Sequence, residues 1–223
     1  MANTKTIYHF IIDKSGSMQG SEKETINGFN TQLETLRGLE RELPDQQYIV
    51  SLTFFNSELH MPLQNGRVGQ VTNLDRTSYR PNGATALLDA IGKAIFDIKR
   101  DFKSEIDADK ASVVMVILTD GHENASRFYS YHDIARMIGE LDATGRWTFS
   151  FLGADLDAFH SAQMLNIRQE NVMAFDKSDM SRMYGRVRES VSDFAQAKAK
   201  GNMKKDIFDI FSEKDLRSKK ERE

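Results

Sequence analysis

Residues 112–119 constrain the fold more than any other segment of this chain. Their sequence, SVVMVILT, is apolar and β-branched almost throughout and shows no alternation between apolar and polar positions. Such a run is typical of a strand that is buried on both faces, as the inner strands of a parallel sheet are when helices cover both sides. The segment therefore predicts an α/β domain with a parallel central sheet.

Further short apolar runs alternate with longer stretches of helical spacing. The runs that resemble strands are residues 8–12, 48–55, 147–152 and 171–175. The stretches with apolar residues three or four positions apart are residues 26–36, 87–102, 134–141 and 180–194. We predict a doubly wound, mostly parallel sheet flanked by helices, with right-handed crossovers. Met180 and Met183 lie on the last stripe and are predicted to be core residues.

Two local patterns add detail to this prediction. Ser21 followed by Glu24 has the spacing of a capping box at the start of the first helix. Residues 59–80 contain Pro62 and Gly66 and show little periodicity. This favours a short antiparallel edge strand followed by a long loop.

The chain divides into a domain, residues 1–200, and a charged helical tail, residues 201–223. Gly201 ends the last helical stretch. Residues 198–223 carry a net charge of +3, whereas residues 1–197 carry −6. Within the tail, residues 207–211 (IFDIF) are apolar enough for a short amphipathic helix. That helix could dock on a partner or a second copy, or pack back on its own domain, and the sequence leaves these alternatives and the oligomeric state open.

The composition excludes several classes of protein. The 223 residues include no cysteine, which excludes disulfide frameworks, thiolate metal sites and cysteine nucleophiles. The formal net charge of −3 argues against whole-domain affinity for nucleic acid or an anionic membrane. No apolar stretch reaches the roughly 18–20 residues that span a bilayer, and the first residues lack the apolar core of a signal peptide. We expect a cytoplasmic protein that binds neither nucleic acid nor membrane.

Three polar clusters lie where the predicted strands end or helices begin. Asp13, Ser15 and Ser17 follow the first strand, and Asp120 follows the strand 112–119. Thr85 closes the sequence Asn-Gly-Ala-Thr before the second helix. Open α/β sheets bind ligands beyond the carboxyl ends of their strands, near the point where strand order reverses. We therefore expect the three clusters to converge in space.

Together these clusters resemble the von Willebrand factor type A domain and its metal-ion-dependent adhesion site. The family pattern is Asp-x-Ser-x-Ser, then a Thr in a Gly-rich turn, then an Asp at the end of a later strand. Five residues match it in this order, and the resemblance covers about residues 5–200. The form Asp-x-Ser-Gly-Ser-Met is similar to that of intracellular, prokaryotic or phage-like members of the family. The matching residues are Asp13, Ser15, Ser17, Thr85 and Asp120.

The resemblance implies a divalent cation, Mg²⁺ or Mn²⁺, at these five residues. It implies that Ser15 and Ser17 ligate directly through hydroxyls, with Thr85 joining when a ligand is bound. It assigns Asp13 and Asp120 the negative charge, partly through bridging water. Two carboxylates leave such an ion electrophilic, with an open position. We expect an exposed Asp or Glu of a protein partner to fill that position. Ordinary turn and cap chemistry is the alternative explanation for the two serines and Thr85.

Four further residues are candidates for the rim of the site, where they could contact a partner. His122 and Glu123 directly follow Asp120-Gly121, Lys14 lies inside the first loop, and Arg80 precedes Pro81. The alternative for each of the four is an ordinary solvated side chain.

The sequence favours a binding module over an enzyme. It contains no P-loop, no dinucleotide fingerprint and no Gly-x-Ser-x-Gly elbow. A phosphotransferase of the haloacid dehalogenase type would need Asp-x-Asp after the first strand, and Ser15 stands at the second position. A hydroxyl cannot act as a general acid at neutral pH. A regulatory or structural subunit of a larger assembly, for example with an ATPase, remains a second alternative.

Overall fold

The computed structural model describes residues 4–154 and 158–199, and the predictions for the tail lie outside these residues. The six strands are β1 (Thr4–Asp13), β2 (Gln46–Phe55), β3 (Leu59–Arg67), β4 (Ala111–Thr119), β5 (Trp147–Ala154) and β6 (Val172–Phe175). The five helices are α1 (Glu22–Glu42), α2 (Leu87–Asp107), α3 (Tyr131–Ala143), α4 (Ala158–Met164) and α5 (Met180–Ala199).

The strands form one sheet in the order β3-β2-β1-β4-β5-β6. All neighbours are parallel except β2 and β3, which are antiparallel. Strands β2 and β3 lie on one side of β1, and the later strands β4, β5 and β6 lie on its other side. The order therefore reverses between β1 and β4, where Ile12 pairs with Leu118. Asp13 ends β1 and Thr119 ends β4 at this same edge, which confirms the predicted doubly wound architecture.

Alternate residues of each central strand face opposite layers of core. Ile7 and Ile11 of β1 pack with apolar residues of α2, α3 and α4 on one side of the sheet. Tyr8, Phe10 and Ile12 pack with residues of α1 and α5 on the other side. Residues 112–119 lie in β4, and seven of these eight residues are buried. Within residues 4–154 and 158–199, no helix is both long and apolar enough to cross a membrane.

The structure corrects the local predictions at two places. Ser21 precedes α1, but its side chain makes no capping hydrogen bond. The capping box lies instead at α3, where the Ser130 side chain accepts from the backbone N–H of Asp133 and the Asp133 carboxylate accepts in return. The short helix α4 was not predicted, because its seven residues are too few to show a helical period.

Other predictions are confirmed. The antiparallel edge strand is β3, although at nine residues it is not short, and its register against β2 shifts on either side of Leu52. A long stretch leads from β3 to α2. Met180 and Met183 are core residues, 1% and 3% exposed.

Candidate metal site

The first loop of the site is fixed by its backbone. Asp13 ends β1, and its Oδ1 accepts a 2.7 Å hydrogen bond from the backbone N–H of Ser15. The hydroxyl of Tyr79 donates to the backbone oxygen of Asp13. The N–H of Gly16 donates to the carbonyl of Gly83 at 3.0 Å, which joins this loop to the turn before α2. Gly83 has φ +77°, a left-handed conformation that glycine adopts without strain.

Side chains from the two strand ends form a continuous polar cluster. Thr119 Oγ1 donates to Asp13 Oδ2 at 2.6 Å. Ser15 Oγ lies 3.0 Å from Ser17 Oγ, and Ser17 Oγ donates to Asp120 Oδ1 at 2.6 Å. Asp13, Ser15, Ser17 and Asp120, all predicted from the sequence, are therefore linked, and Thr119 joins them.

Thr85, the fifth predicted residue, lies in the turn before α2, and its hydroxyl comes close to the polar cluster. A Cβ built on Gly121 would lie 3.3 Å from Ser17 Oγ, 3.4 Å from Thr85 Oγ1 and 3.9 Å from Asp13 Oδ2. Oxygens from the loop after β1 and from the turn before α2 thus surround one point beside the residues after β4, and the missing side chain of Gly121 leaves it open. Asn124 holds Thr85 there, because its Oδ1 accepts from the Thr85 backbone N–H at 2.8 Å.

The electrostatics of the cluster favour a cation. Asp13 is 0% exposed, and its burial raises the pKa of its carboxyl, with the negative charge of Asp120 adding to the shift. Hydrogen bonds from Thr119 and Ser15 act in the opposite direction and lower the pKa. The Asp120 side chain is 1% exposed, and its Oδ2 accepts no hydrogen bond from the described residues. Its partner is the ammonium of Lys177, whose Nζ lies 2.5 Å away as an ion pair.

These residues fit a hard divalent cation. Their donors are hydroxyl and carboxylate oxygens, the ligands that Mg²⁺ and Mn²⁺ prefer. The buried carboxylate of Asp120, whose Oδ2 is paired with the half-exposed Lys177 ammonium, and the open point beside Gly121 give an ion both charge and room. In the described part of the chain, no three His, Cys, Asp or Glu side chains cluster in a way that could hold a metal. A metal here would accordingly depend on the Ser and Thr hydroxyls.

Three of the predicted rim residues take different positions around the site. His122 is exposed and lies on the wall of a small cavity next to Asp120. Arg80 is exposed and lines an open groove beside the first loop. Lys14 is turned toward β2, with its Nζ 5.9 Å from the centre of the Phe54 ring.

Glu123, the fourth rim residue, binds its own loop. Its Oε2 accepts from the Leu88 backbone N–H at 2.9 Å and from the Ser126 hydroxyl at 2.8 Å. Its Oε1 accepts from the backbone N–H groups of Ala125 and Ser126. The Glu123 carboxylate therefore fixes the loop after β4 against the start of α2. Because both of its oxygens accept hydrogen bonds there, this carboxylate is not free to contact a partner.

Sequence reasoning missed three residues that shape the site. Thr119 orients the Asp13 carboxylate, and its position directly before Asp120 was the available signal. Tyr79 lies in the stretch of weak periodicity after β3, and Lys177 comes from the β6–α5 connection, far along the chain. Nothing in the sequence pattern near either residue points to the site.

The strand order, the switch point and the acidic, hydroxyl-rich cluster define a doubly wound α/β domain with a polar site at the reversal of its sheet. The family model of the von Willebrand factor type A domain matches residues 9–186, and the chain belongs to this family. The family includes metal-dependent adhesion and protein-binding modules. No curated protein matches the chain in sequence.

Solved structures share the fold at low sequence identity. A von Willebrand factor type A protein from Catenulispora acidiphila has a TM-score of 0.56 and 19% identity, over 85% of this chain and 42% of its own. Proximal thread matrix protein 1 from the mussel byssus, with a zinc-occupied metal-ion-dependent adhesion site (MIDAS) motif, has a TM-score of 0.54 and 14% identity, over 85% of this chain and 46% of its own. Manganese-loaded TRAP protein from Plasmodium vivax has a TM-score of 0.54 and 16% identity, over 80% and 71%. The chain therefore spans less than half the length of the first two.

Proposed function

We propose that this protein is a metal-dependent protein-binding module that holds Mg²⁺ or Mn²⁺ at its strand-end cluster. The observation that carries the proposal is the convergence of Ser17 Oγ, Thr85 Oγ1 and Asp13 Oδ2 around Gly121. Ser15 and Asp120 complete the set of oxygens. A site with five such oxygens, three from hydroxyls and two from carboxylates, matches the chemistry of a hard cation.

The residues divide the work by their chemistry. The Ser15, Ser17 and Thr85 hydroxyls supply neutral ligands, and the Asp13 and Asp120 carboxylates supply the negative charge. Thr119 and the Ser15 backbone N–H hold the Asp13 carboxylate in one orientation. The bound cation would supply an electrophilic position for a carboxylate. The partner in this proposal is a protein with an exposed Asp or Glu.

The loop after β4 gives this face a preformed shape. The Asp89 carboxylate, 7% exposed as a residue, accepts from the backbone N–H groups of Arg127, Phe128 and Tyr129 at 2.8–3.0 Å. Phe128 is nevertheless 84% exposed. An aromatic side chain displayed on a fixed loop is a typical anchor for a protein partner. This loop follows Asp120 directly, and Asn124 within it contacts Thr85, so the loop that carries Phe128 adjoins the site.

Binding, not catalysis, is the function we propose. Ser15 stands where a phosphotransferase of the Asp-x-Asp type needs a general acid, and Asp120 is engaged by Ser17 and Lys177.

Calorimetry with Mn²⁺ and Mg²⁺ tests the metal part of the proposal. Wild type should bind, and Asp13→Ala and Thr85→Ala should each weaken binding at least about tenfold, because each removes an oxygen of the site. Ser104→Ala changes a hydroxyl on α2 that lies outside the site and should leave the affinity unchanged. Equal metal binding by wild type and Asp13→Ala would contradict the proposal.

The partner part is tested by reversible capture. A protein retained on the immobilised wild type should elute with EDTA, rebind when Mn²⁺ is restored and fail to bind Asp13→Ala. Retention in EDTA would instead favour a regulatory or structural subunit that docks through its helices or tail.

A further inference from the structure

We propose that Lys177 is an internal cation that competes with the divalent metal and thereby sets the metal affinity of the site. This inference rests on the proposed metal binding, and it adds a residue that lies outside the family pattern found in the sequence. It concerns a side chain contributed by the short turn Lys177–Asp179 between β6 and α5.

The contacts of Lys177 place its charge at the cluster. Its Nζ lies 2.5 Å from Asp120 Oδ2 and donates to the backbone oxygen of Ser17 at 3.1 Å. The ammonium therefore bridges the loop after β1 and the residue after β4, the same two segments that supply most of the metal-site oxygens. Asp120 Oδ1 is already bound by the Ser17 hydroxyl, so Oδ2 is the oxygen left for a cation.

The two partners of this ion pair differ strongly in burial. The Asp120 side chain is 1% exposed, whereas the Lys177 side chain is 41% exposed. A buried carboxylate without a compensating charge is costly, so a cation beside Asp120 is favoured over none. The ammonium, carried on a flexible four-carbon stem, can move into water at far lower cost. This asymmetry allows one cation to replace another at Asp120.

The turn that carries Lys177 does not depend on the ion pair. Asp176 Oδ1 accepts from the backbone N–H and the hydroxyl of Ser178 at 2.8 and 2.7 Å. Just after the turn, Met180 and Met183 are buried in the core between α1 and the sheet. The ammonium can therefore leave Asp120 while the backbone stays in place. A divalent ion entering the cluster would displace it through charge repulsion and through competition for the same oxygen.

Metal titration of three lysine variants tests the proposal. Lys177→Met should bind Mn²⁺ about tenfold more tightly than wild type, because the metal no longer displaces a positive charge. Lys177→Arg keeps the charge and should stay closer to wild type than to Lys177→Met. Lys99→Met removes one charge from an exposed position on α2 and is the matched control, with unchanged affinity expected. The difference in Mn²⁺ affinity between Lys177→Met and wild type should become smaller as salt is added, because salt screens the charge of Lys177.

Unchanged or weaker Mn²⁺ binding by Lys177→Met would overturn the proposal. If Asp13→Ala still abolishes binding in that case, the proposed function stands and only the role of Lys177 fails. If neither wild type nor Lys177→Met binds metal, both proposals are overturned. Thermal melts of each variant check that the fold is intact.

A second measurement follows the ammonium itself. Modification of Lys177 by an amine-reactive acylating reagent, read by mass spectrometry, should be faster with saturating Mn²⁺ than in EDTA, because the metal releases the amine. Lys99 should react equally under both conditions. Equal or slower modification of Lys177 with Mn²⁺ would overturn the proposal.

Discussion

At the scale of single residues, the candidate metal site depends on the absence of a Cβ atom at Gly121. Gly121 has no side chain, and the Ser17 and Thr85 hydroxyls and the Asp13 carboxylate surround the place where a Cβ would stand. Only the tips of these side chains lie near that place, so the fold itself does not depend on it. A substitution at Gly121 is therefore expected to change metal binding without changing the stability of the fold.

We expect Gly121→Ala to remove metal binding and to leave the fold intact. The added methyl would come within 3.3 and 3.4 Å of two hydroxyl oxygens and push them apart. Calorimetry with Mn²⁺ and a thermal melt measure the two effects. Gly185→Ala is the control, since a Cβ there meets nothing within 4 Å, and it should bind metal as wild type does. Wild-type affinity in Gly121→Ala would show that the cation lies elsewhere.

A second residue, His9, which lies outside the candidate metal site, makes the stability of the fold depend on pH. It is fully buried in β1 with its Nε2 2.8 Å from Thr53 Oγ1. Burial lowers the pKa of His9 from 6.5 to about 4, with Lys93 adding to the shift and Asp97 opposing it. The folded protein thus holds His9 neutral where the unfolded chain takes up a proton. Its contribution is fully present above pH 6.5 and is lost as the pH falls toward about 4.

We expect His9→Gln to lose less stability than wild type on acidification. Between roughly pH 7.5 and 5, the difference in the loss of unfolding free energy should be about 2 kcal/mol. Urea unfolding at the two pH values measures it, and the glutamine amide can still bond to Thr53. His160→Gln, at an exposed position, should behave as wild type does. Identical losses in His9→Gln and wild type would contradict this account.

At the scale of elements, α1 and α5 meet through a glycine. A Cβ on Gly28 of α1 would lie 2.1 Å from ring carbons of Tyr184 of α5, which is 7% exposed. The absence of a side chain at Gly28 lets the ring lie directly against the α1 backbone. On the same helix, Gly38 has only the tip of Arg41 at 4.0 Å.

The same substitution at these two glycines should have opposite effects. Gly28→Ala should lower the unfolding free energy by about 2 kcal/mol, because Tyr184 must move out of a packed core. Gly38→Ala should raise it by about 0.5–1 kcal/mol through helix propensity alone. Urea unfolding measures both. Equal effects at the two positions would contradict the packing of α5 on α1.

Elements with a strong period were predictable, and those fixed by tertiary contacts were not. Segment 112–119 predicted β4 because a strand that is buried on both faces has almost no polar positions. The apolar stripe of residues 87–102 predicted α2 in the same way. Ser21 failed as a cap because its backbone (φ −105°, ψ 9°) is not extended as that of a capping residue is, and its N–H donates to the Met18 carbonyl. Residue spacing cannot reveal this local conformation. The strand-end residues of the site followed from the topology. Lys177 did not, because its role arises only when β6 and α5 are placed beside β4.

At the scale of the whole molecule, the described residues already cover both faces of the sheet. Helices α1 and α5 close one face, and α2, α3 and α4 close the other. Helix α5 contributes Met180, Met183, Val187, Val191 and Phe194 to the core. The domain boundary near residue 200 stays a prediction, and truncation tests it.

We expect a chain ending at Lys200 to melt within a few degrees of the full chain and to keep its metal affinity. A chain ending at Asp179 should lose cooperative melting, because one face of the sheet loses the apolar cover that α5 provides. Circular dichroism melts and Mn²⁺ calorimetry measure these outcomes. A large loss of stability on truncation after Lys200 would place part of the core in the tail.

The position of β1 in the middle of the sheet has a consequence for the order of synthesis. β1 is made before the other strands of the sheet, yet one of its two neighbours is β4, whose residue Thr119 bonds to Asp13 across 106 positions. Pairing over such a separation is slow, since a long loop must close before any contact forms. The candidate metal site therefore cannot form on a nascent chain until β4 has left the ribosome. An N-terminal fragment ending before β4 carries Asp13, Ser15 and Ser17 but has no site.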